Sequence, residues 1–204
     1  KVTLLKAYLN WLTNITLPTS TAIGNGWVFR GYKGGSTESD ITAVTFTSDK
    51  AGTTFKANYN VYPQIRSIYE RTLTMKYNGN GSTGGSTANQ TTTQYYSSGY
   101  ASSNKNNKEQ ISNPTITLKA NGFTKTGYTF KNWAKGSASG TKYNASTSYT
   151  FAPGVSETNE ETMYAIWDGN TYYVSYDCNG GTGTMSKSEH KYDVAKQLSA
   201  SACK

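Results

Sequence analysis

The sequence predicts a fold of the mainly β or α+β class, from its composition and from short aromatic runs. Its 204 residues include 20 Gly and 17 Tyr but only 4 Pro, and 16 % of them are charged. Tyr and Thr favour half-exposed strands, whereas Gly and Asn favour the turns between strands. Residues 128–133, 163–167 and 172–176 are runs of such strand-forming residues. The composition is typical of extracellular β-proteins.

The first residues depart from this pattern. Apolar side chains recur there at helical spacing, namely Leu4, Leu5, Tyr8, Leu9, Trp11 and Leu12. The spacing predicts one or two amphipathic helical turns before Asn14. We expect these turns to pack against the strands that follow. Docking to a membrane or a partner is the alternative, and few cationic residues flank the segment to favour a membrane.

Internal similarity divides the rest of the chain. Residues 15–32 align without a gap with residues 116–133. Aromatic residues coincide at three positions of this alignment: Trp27 with Tyr128, Phe29 with Phe130, and Tyr32 with Trp133. Further on, residues 54–59 match residues 162–167. Two copies of one unit are therefore predicted, and residues 60–72 between them either pack as an additional strand or form a mobile joint.

A third copy begins near the end of the sequence. Residues 174–181 resemble residues 75–82, and residues 198–204 resemble residues 118–124. The matched segments are further apart in the middle copy, which predicts an insertion at about residues 82–110. This tract is rich in Ser, Thr, Asn and Gly, and its tyrosines are Tyr95, Tyr96 and Tyr100. Such a composition is typical of a long surface insertion.

These segments resemble the internalin B-repeat family, also called the Listeria–Bacteroides repeat. Its units carry a strand ending in Asn-Gly-Gly, then Lys-Thr-Gly-Tyr-Thr-Phe-x-x-Trp, then a closing aromatic strand, here at residues 176–181, 125–133 and 163–167. The resemblance implies tandem β-grasp-like, ubiquitin-like modules of an extracellular bacterial cell-surface or cell-wall protein. The modules would be a partial repeat at 1–60, a complete repeat at 72–168 and a partial repeat at 170–204, each contacting neighbouring repeats of a longer chain.

The two cysteines occupy matched positions of the third copy. Cys178 aligns with Gly79, and Cys203 aligns with Phe123. If Phe123 lies against Gly79 in the middle copy, the third copy has replaced that contact with a disulfide. Closing this loop would stabilise the fold by roughly 3 kcal/mol, and an extracellular location permits it. Two unrelated buried thiols are the alternative.

The sequence predicts no catalytic residues, no metal site and no cofactor. His190 lies in a polar stretch, where we expect an exposed imidazole, and two cysteines with one distant histidine do not form a metal ligand set. Glu157, Glu160 and Glu161 lack the spacing of a calcium loop and are expected to be solvated. The formal net charge is +8, but the basic residues are scattered, which argues against nucleic acid as a partner. No apolar run is long enough to insert into a membrane.

Two functions remain. In the first, the chain is a non-catalytic spacer or stalk whose modules present other domains of a cell-surface protein. In the second, it is an adhesin-type binding module that engages a host glycan or protein through its basic surface and Tyr95, Tyr96 and Tyr100. We favour the spacer because Asn-, Ser- and Gly-rich tracts are usually surface insertions that the fold tolerates.

Overall fold

The computed structural model describes residues 14–16, 23–35, 54–56, 64–97 and 109–204, and every regular element in these ranges is a strand. The strands are β1 Asn14–Thr16, β2 Val28–Gly35, β3 Thr54–Lys56, β4 Gln64–Asn78, β5 Gly84–Gly85, β6 Gln90–Ser97, β7 Gln110–Ile111, β8 Thr115–Thr117, β9 Phe123–Thr124, β10 Tyr128–Lys135, β11 Lys142–Tyr143, β12 Ser148–Thr150, β13 Glu160–Gly169, β14 Thr171–Val174 and β15 Ser188–Lys191. The mainly β prediction is confirmed. The amphipathic turns predicted before Asn14 lie outside the described residues.

The chain divides into two compact units. The first unit consists of Lys1–Thr74, Thr91–Ile116 and Thr150–Glu160. The second consists of Met75–Gln90, Thr117–Tyr149 and Glu161–Lys204. This division follows three-dimensional packing, so the repeat boundaries at 1–60, 72–168 and 170–204 stay a prediction.

In the first unit, β4 is the central strand. It pairs antiparallel with β2, with Phe29 opposite Tyr69 and a bulge between Phe29 and Gly31. On the sheet's other side β4 neighbours β6, and β6 pairs with β7. Buried apolar side chains of this unit are Trp27, Ile68, Tyr69, Leu73, Tyr96 and Phe151. Residues 69, 71 and 73 are buried on one face of β4, and Ile68 is buried on the other.

In the second unit, β10 pairs antiparallel with β11 and β13. Phe130 lies opposite Trp167, and a bulge follows between Phe130 and Asn132. Two shorter pairs, β5 with β9 and β14 with β15, also belong to this unit, and β8 pairs with β12. Its buried apolar side chains are Met75, Tyr77, Leu118, Trp133, Ala134, Tyr149, Met163 and Ala165.

The prediction that residues 54–59 are the counterpart of residues 162–167 is wrong. Residues 54–56 form β3, which pairs with β1. The counterpart lies instead in β4, because β2 pairs with β4 in the register that β10 keeps with β13. Phe29 faces Tyr69 as Phe130 faces Trp167, and each bulge follows directly. Residues 65–69 therefore correspond to residues 163–167, and the stretch between the two predicted copies continues as a strand.

Candidate functional site

The turn at the end of β4 has a backbone that depends on Asn and Gly. Asn80 and Gly81 have positive φ of 47° and 78°, a conformation that favours these two residue types. The Asn80 N–H donates to Oδ1 of Asn78 at 2.8 Å, and the Ser82 N–H donates to the Gly79 carbonyl at 3.1 Å. The sequence therefore determines this turn locally.

The same turn occurs after β14. Asn179 and Gly180 have φ of 46° and 86°. The Asn179 N–H donates to Oδ1 of Asp177 at 2.9 Å, and the Gly181 N–H donates to the Cys178 carbonyl at 2.9 Å. Each bond has its counterpart in the turn after β4 at the position that the sequence alignment assigns.

Each turn is followed by a backbone bond to a distant segment. The Thr83 N–H donates to the Thr124 carbonyl at 2.7 Å, and the Thr182 N–H donates to the Lys204 carbonyl at 2.7 Å. These residues are again aligned in sequence. The correspondence thus includes a long-range contact as well as a local turn.

The two cysteines lie where the alignment places them. Cys178 and Cys203 form a disulfide, with Cα atoms 5.5 Å apart. At the matched positions of the middle copy, a Cβ added to Gly79 would lie 2.7 Å from Cδ1 of Phe123. Phe123 therefore lies directly over Gly79. The turn after β4 is closed by an aromatic ring over a glycine, and the turn after β14 is closed by a covalent bond.

His190 belongs to a hydrogen-bonded group and is half-buried, so the expected fully exposed imidazole is wrong. Its Nε2 lies 2.8 Å from Oγ of Ser188, which is 2.7 Å from the Tyr176 hydroxyl. That hydroxyl also accepts a bond from the Ser199 N–H at 3.0 Å. The equivalent Tyr77 hydroxyl is held in the same way by a side chain and a backbone N–H. The Ser188–His190 pair therefore occupies a structural position.

The strongest polar cluster surrounds Arg71, which sequence reasoning missed. Arg71 is 2 % exposed, and its guanidinium carbon lies 4.4 Å from the centroid of the Trp27 ring. The guanidinium donates to Gln94 Oε1 at 2.8 Å, to the Glu157 and Gly154 carbonyls at 2.9 Å each, and to the Asn25 and Pro153 carbonyls at 3.4 Å each. Burial lowers the pKa of Arg71, partly offset by the nearby charge of Glu157. We call these residues the Arg71 cluster.

The Arg71 cluster fixes the turn that precedes β2. Trp27 is 4 % exposed, and its Nε1 donates to the Val155 carbonyl at 3.0 Å. Gln94 in turn donates to the Pro153 carbonyl at 2.9 Å. Strand alternation could have revealed the cluster, because Arg71 lies between Tyr69 and Leu73 on the buried face of β4.

Part of the predicted surface insertion at about residues 82–110 is buried. Tyr96 is 7 % exposed, and its ring packs 5.7 Å from Trp27 and 5.9 Å from Tyr69. Burial raises the pKa of Tyr96. Tyr95 is half-buried, and its N–H donates to Oγ of Ser112 at 2.7 Å. Tyr96 is therefore a core residue instead of an exposed binding residue, while Tyr100 lies outside the described residues.

A second polar cluster joins Lys135, Tyr149 and Glu161. Lys135 Nζ lies 2.8 Å from Glu161 Oε1, and the Tyr149 hydroxyl donates to Glu161 Oε2. Burial raises the pKa of Tyr149 to about 12, and the hydrogen bond to Glu161 adds to this. The expectation that Glu161 is solvated is wrong. Glu157 is exposed, although its Oε2 accepts a bond from the Gly154 N–H at 2.7 Å.

Comparisons with known proteins add no assignment: no family model, curated protein or solved structure matches the chain. Within the described ranges, no group of three or more His, Cys, Asp or Glu side chains could hold a metal ion. No helix in the described part of the chain is long and apolar enough to cross a membrane.

Proposed function

We propose that this chain is a tandem array of β-grasp-like units, similar to internalin B-repeats, that acts as a non-catalytic spacer in a bacterial cell-surface protein. The observation that carries the proposal is the recurrence of the turn and its closing contact. Asn80 and Asn179 share backbone conformation and local bonding, and the turn of each is followed by a matched long-range backbone bond, although one turn is closed by packing and the other by a disulfide. Such recurrence is expected of copies of one module.

A second recurrence supports the same reading. The turns at residues 24–27 and 125–128 each close through a 3.0 Å bond from the last N–H to the first carbonyl. Gly26 and Gly127 have φ of 77° and 78°. Both turns lead into a strand with a bulge at the aligned position. The Asn-Gly turn therefore supports the alignment of the middle copy with the third, and this second turn supports the alignment of the first copy with the middle one.

The Arg71 cluster supports a spacer in particular. Segments 91–116 and 150–160, which the alignment assigns to the middle copy, fold into the first compact unit with Trp27. Their backbone carbonyls and Gln94 hold Arg71. Consecutive copies that share one buried cluster resist bending better than copies joined by a free linker. This stiffness suits a spacer.

A display experiment tests the spacer. The chain would be placed between an unrelated wall anchor and a small reporter domain on a bacterial surface, with reporter access measured by binding of a large antibody. We expect access to fall when the chain is deleted and to return when an unrelated rigid domain pair of the same length replaces it. A matched Gly/Ser linker should restore access less well. Equal restoration by the flexible linker would contradict the spacer.

A parallel adhesion assay tests the alternative binding function. Tyr95→Ser and Tyr100→Ser should leave adhesion to host glycans and proteins unchanged, because the proposed role needs no contact from the insertion. Tyr96→Ser is excluded from this set because its ring is part of the core. Loss of adhesion with an unchanged melting temperature would establish the binding module instead.

A further inference from the structure

The Arg71 cluster gives every donor of one side chain an acceptor. A guanidinium carries five N–H groups in a planar fork. Nε of Arg71 donates to Gln94 Oε1, Nη1 donates to the carbonyls of Glu157 and Asn25, and Nη2 donates to those of Gly154 and Pro153. The Trp27 ring lies against the same group, with its centroid 4.4 Å from the guanidinium carbon. We call the five acceptors and this ring the guanidinium cradle.

Gln94 is oriented for this contact by bonds that do not involve Arg71. Its side chain is buried, and its Nε2 donates to the Ser112 carbonyl at 3.0 Å and to the Pro153 carbonyl at 2.9 Å. These two bonds use both amide hydrogens, so Oε1 is the atom that faces the guanidinium. An acceptor that is already fixed loses little freedom when it binds its ligand.

The backbone segments of the cradle are held in the same way. The Glu157 N–H donates to the Gly154 carbonyl at 3.1 Å, and the Gly154 N–H donates to Glu157 Oε2 at 2.7 Å. Trp27 donates from Nε1 to the Val155 carbonyl and from its backbone N–H to the Gly24 carbonyl, at 3.0 Å each. Both segments are therefore closed by their own hydrogen bonds, and neither needs Arg71 to close.

The cradle suits a guanidinium better than the other permanently charged side-chain cation. A lysine ammonium has three donors on a compact head, so it would leave acceptors of this site unpaired. It also lacks a flat face to lie against the indole. Because Arg71 is 2 % exposed, water has no access to replace the missing donors. The site therefore distinguishes arginine from lysine.

We propose that the cradle is a preformed guanidinium-binding site that recognises arginine specifically, and that the chain fills it with its own Arg71. The turn at residues 24–27 belongs to the first copy, whereas Gln94 and residues 153–157 belong to segments of the middle copy that fold into the first compact unit. Arg71 follows the closing strand of the first copy and is the ligand that joins these segments. The inference concerns chemical recognition and does not depend on the spacer role.

Chemical rescue provides the test. Arg71→Ala removes the atoms of an ethylguanidinium ion, so ethylguanidinium chloride is the probe. We expect it to raise the melting temperature of the Arg71→Ala chain saturably, as a ligand of the folded state does. Ethylammonium chloride is the matched cation, and its half-saturating concentration should be at least about tenfold higher, because it makes fewer hydrogen bonds. The wild type, whose cradle is full, should gain nothing from either salt.

Two further variants separate specific binding from general stabilisation. Leu118→Ala is the matched destabilised control, since Leu118 is 0 % exposed and belongs to the other compact unit. Ethylguanidinium should not raise the melting temperature of this variant. Arg71→Lys keeps the charge without the fork, and it should lose most of the melting temperature that Arg71→Ala loses.

The Trp27 indole shows where the probe binds. Its N–H signal in a heteronuclear NMR spectrum, assigned with Trp27→Phe, should shift saturably as ethylguanidinium is added to the Arg71→Ala chain. The signals of the other tryptophans should stay in place. If Arg71→Ala does not fold alone, the same titration should restore the circular dichroism spectrum of the wild type.

Four results would overturn the proposal: neither a saturable rise nor refolding with ethylguanidinium, equal rescue by ethylammonium, equal rescue of Leu118→Ala, or an Arg71→Lys chain as stable as the wild type. Each of them would leave the display experiment unaffected. This proposal and the proposed function therefore fail separately.

Discussion

The turns at residues 24–27 and 125–128 share a closing hydrogen bond and a positive φ at the third residue, Gly26 and Gly127, but they have different environments. In the first, Trp27 is 4 % exposed and lies beneath the guanidinium of Arg71. In the second, Tyr128 is half-buried, with Lys125 Nζ 4.5 Å from its ring centroid and Tyr192 packed against it at 5.3 Å. The positive φ of the third residue is a local property that glycine permits, whereas the cover of the turn is a property of the surrounding fold.

The difference shows where the two turns should be sensitive to mutation. A buried guanidinium that satisfies several backbone carbonyls cannot be removed without leaving those carbonyls unpaired. An exposed cation over an aromatic ring contributes only about 0.5–1 kcal/mol, because water solvates both groups when they separate. The cation–aromatic pair should therefore contribute more to the free energy of unfolding at residues 24–27 than at residues 125–128.

The largest effects are expected in the Arg71 cluster, at Arg71 and Trp27. Arg71→Ala should lower the free energy of unfolding by about 3 kcal/mol, because it leaves the carbonyls of Gly154 and Glu157 without their donor in a buried site. Lys125→Ala, the matched change at the other turn, should cost less than about 1 kcal/mol. Urea unfolding followed by tryptophan fluorescence measures both.

Arg71→Met separates hydrogen bonding from packing, because methionine fills much of the arginine volume without its donors. The free energy of unfolding of Arg71→Met should remain closer to that of the alanine variant than to that of the wild type. A stability loss at Lys125 equal to that at Arg71 would show that the two turns are energetically alike.

The next effect concerns the two ways of closing the Asn-Gly turn. Cys178→Ser should destabilise the second unit by roughly 3 kcal/mol, since the disulfide closes a loop with a sequence separation of 25. Intact mass after alkylation, with and without reductant, verifies the bond, and two free thiols in the unreduced protein would contradict it. Arg71 hydrogen bonding lies in the first unit and should be unaffected.

A transplant sharpens this comparison. In the triple variant Gly79→Cys with Ser82→Gly and Phe123→Cys, a second disulfide should form, because these residues are the counterparts of Cys178, Gly181 and Cys203. Gly79→Cys alone should be destabilising, since its new Cβ would meet the Ser82 side chain and the Phe123 ring. Failure of the triple variant to oxidise would show that the two turns are less alike than their hydrogen bonds indicate.

The sequence predicted those parts of the fold that depend on local chemistry. Asn-Gly turns and aromatic strand patterns are encoded within a few residues. The alignment of Cys178 with Gly79 therefore placed two contacts correctly, the disulfide to Cys203 and the packing of Phe123 over Gly79. The wrong counterpart at residues 54–59 arose because Phe55 and Tyr59 mimic the closing strand, and only pairing register separates them from residues 65–69. The role of Tyr96 depends on tertiary packing. A polar tract gives no local sign that it will supply a core residue.

A smaller effect is expected from alkaline pH at the Lys135–Tyr149–Glu161 cluster. The pKa of Tyr149 is raised from 10.0 to about 12 in the fold. The contribution of its protonated hydroxyl is therefore complete below pH 10 and is lost as the pH rises through about 12. Melting temperatures measured over this interval should fall more steeply for the wild type than for Tyr149→Phe. Identical slopes would mean that this hydroxyl titrates normally.

The smallest effect is expected where the turn at residues 125–128 meets Tyr192. Its ring contacts Tyr128 edge-to-face, with an interplanar angle of 76°, and lies where a Cβ on Gly127 would fall. Tyr192 is 39 % exposed, so Tyr192→Ala should cost about 0.5–1.5 kcal/mol, the usual value of an aromatic pair. Tyr192→Phe retains the ring and should be neutral. Trp27→Ala, by contrast, should cost about 3–5 kcal/mol, because it leaves a cavity under Arg71. If Tyr192→Ala proved as damaging as Trp27→Ala, the turn at residues 125–128 would depend on its aromatic cover as strongly as the turn at residues 24–27, and the contrast drawn from the exposure of Trp27 and Tyr192 would be wrong.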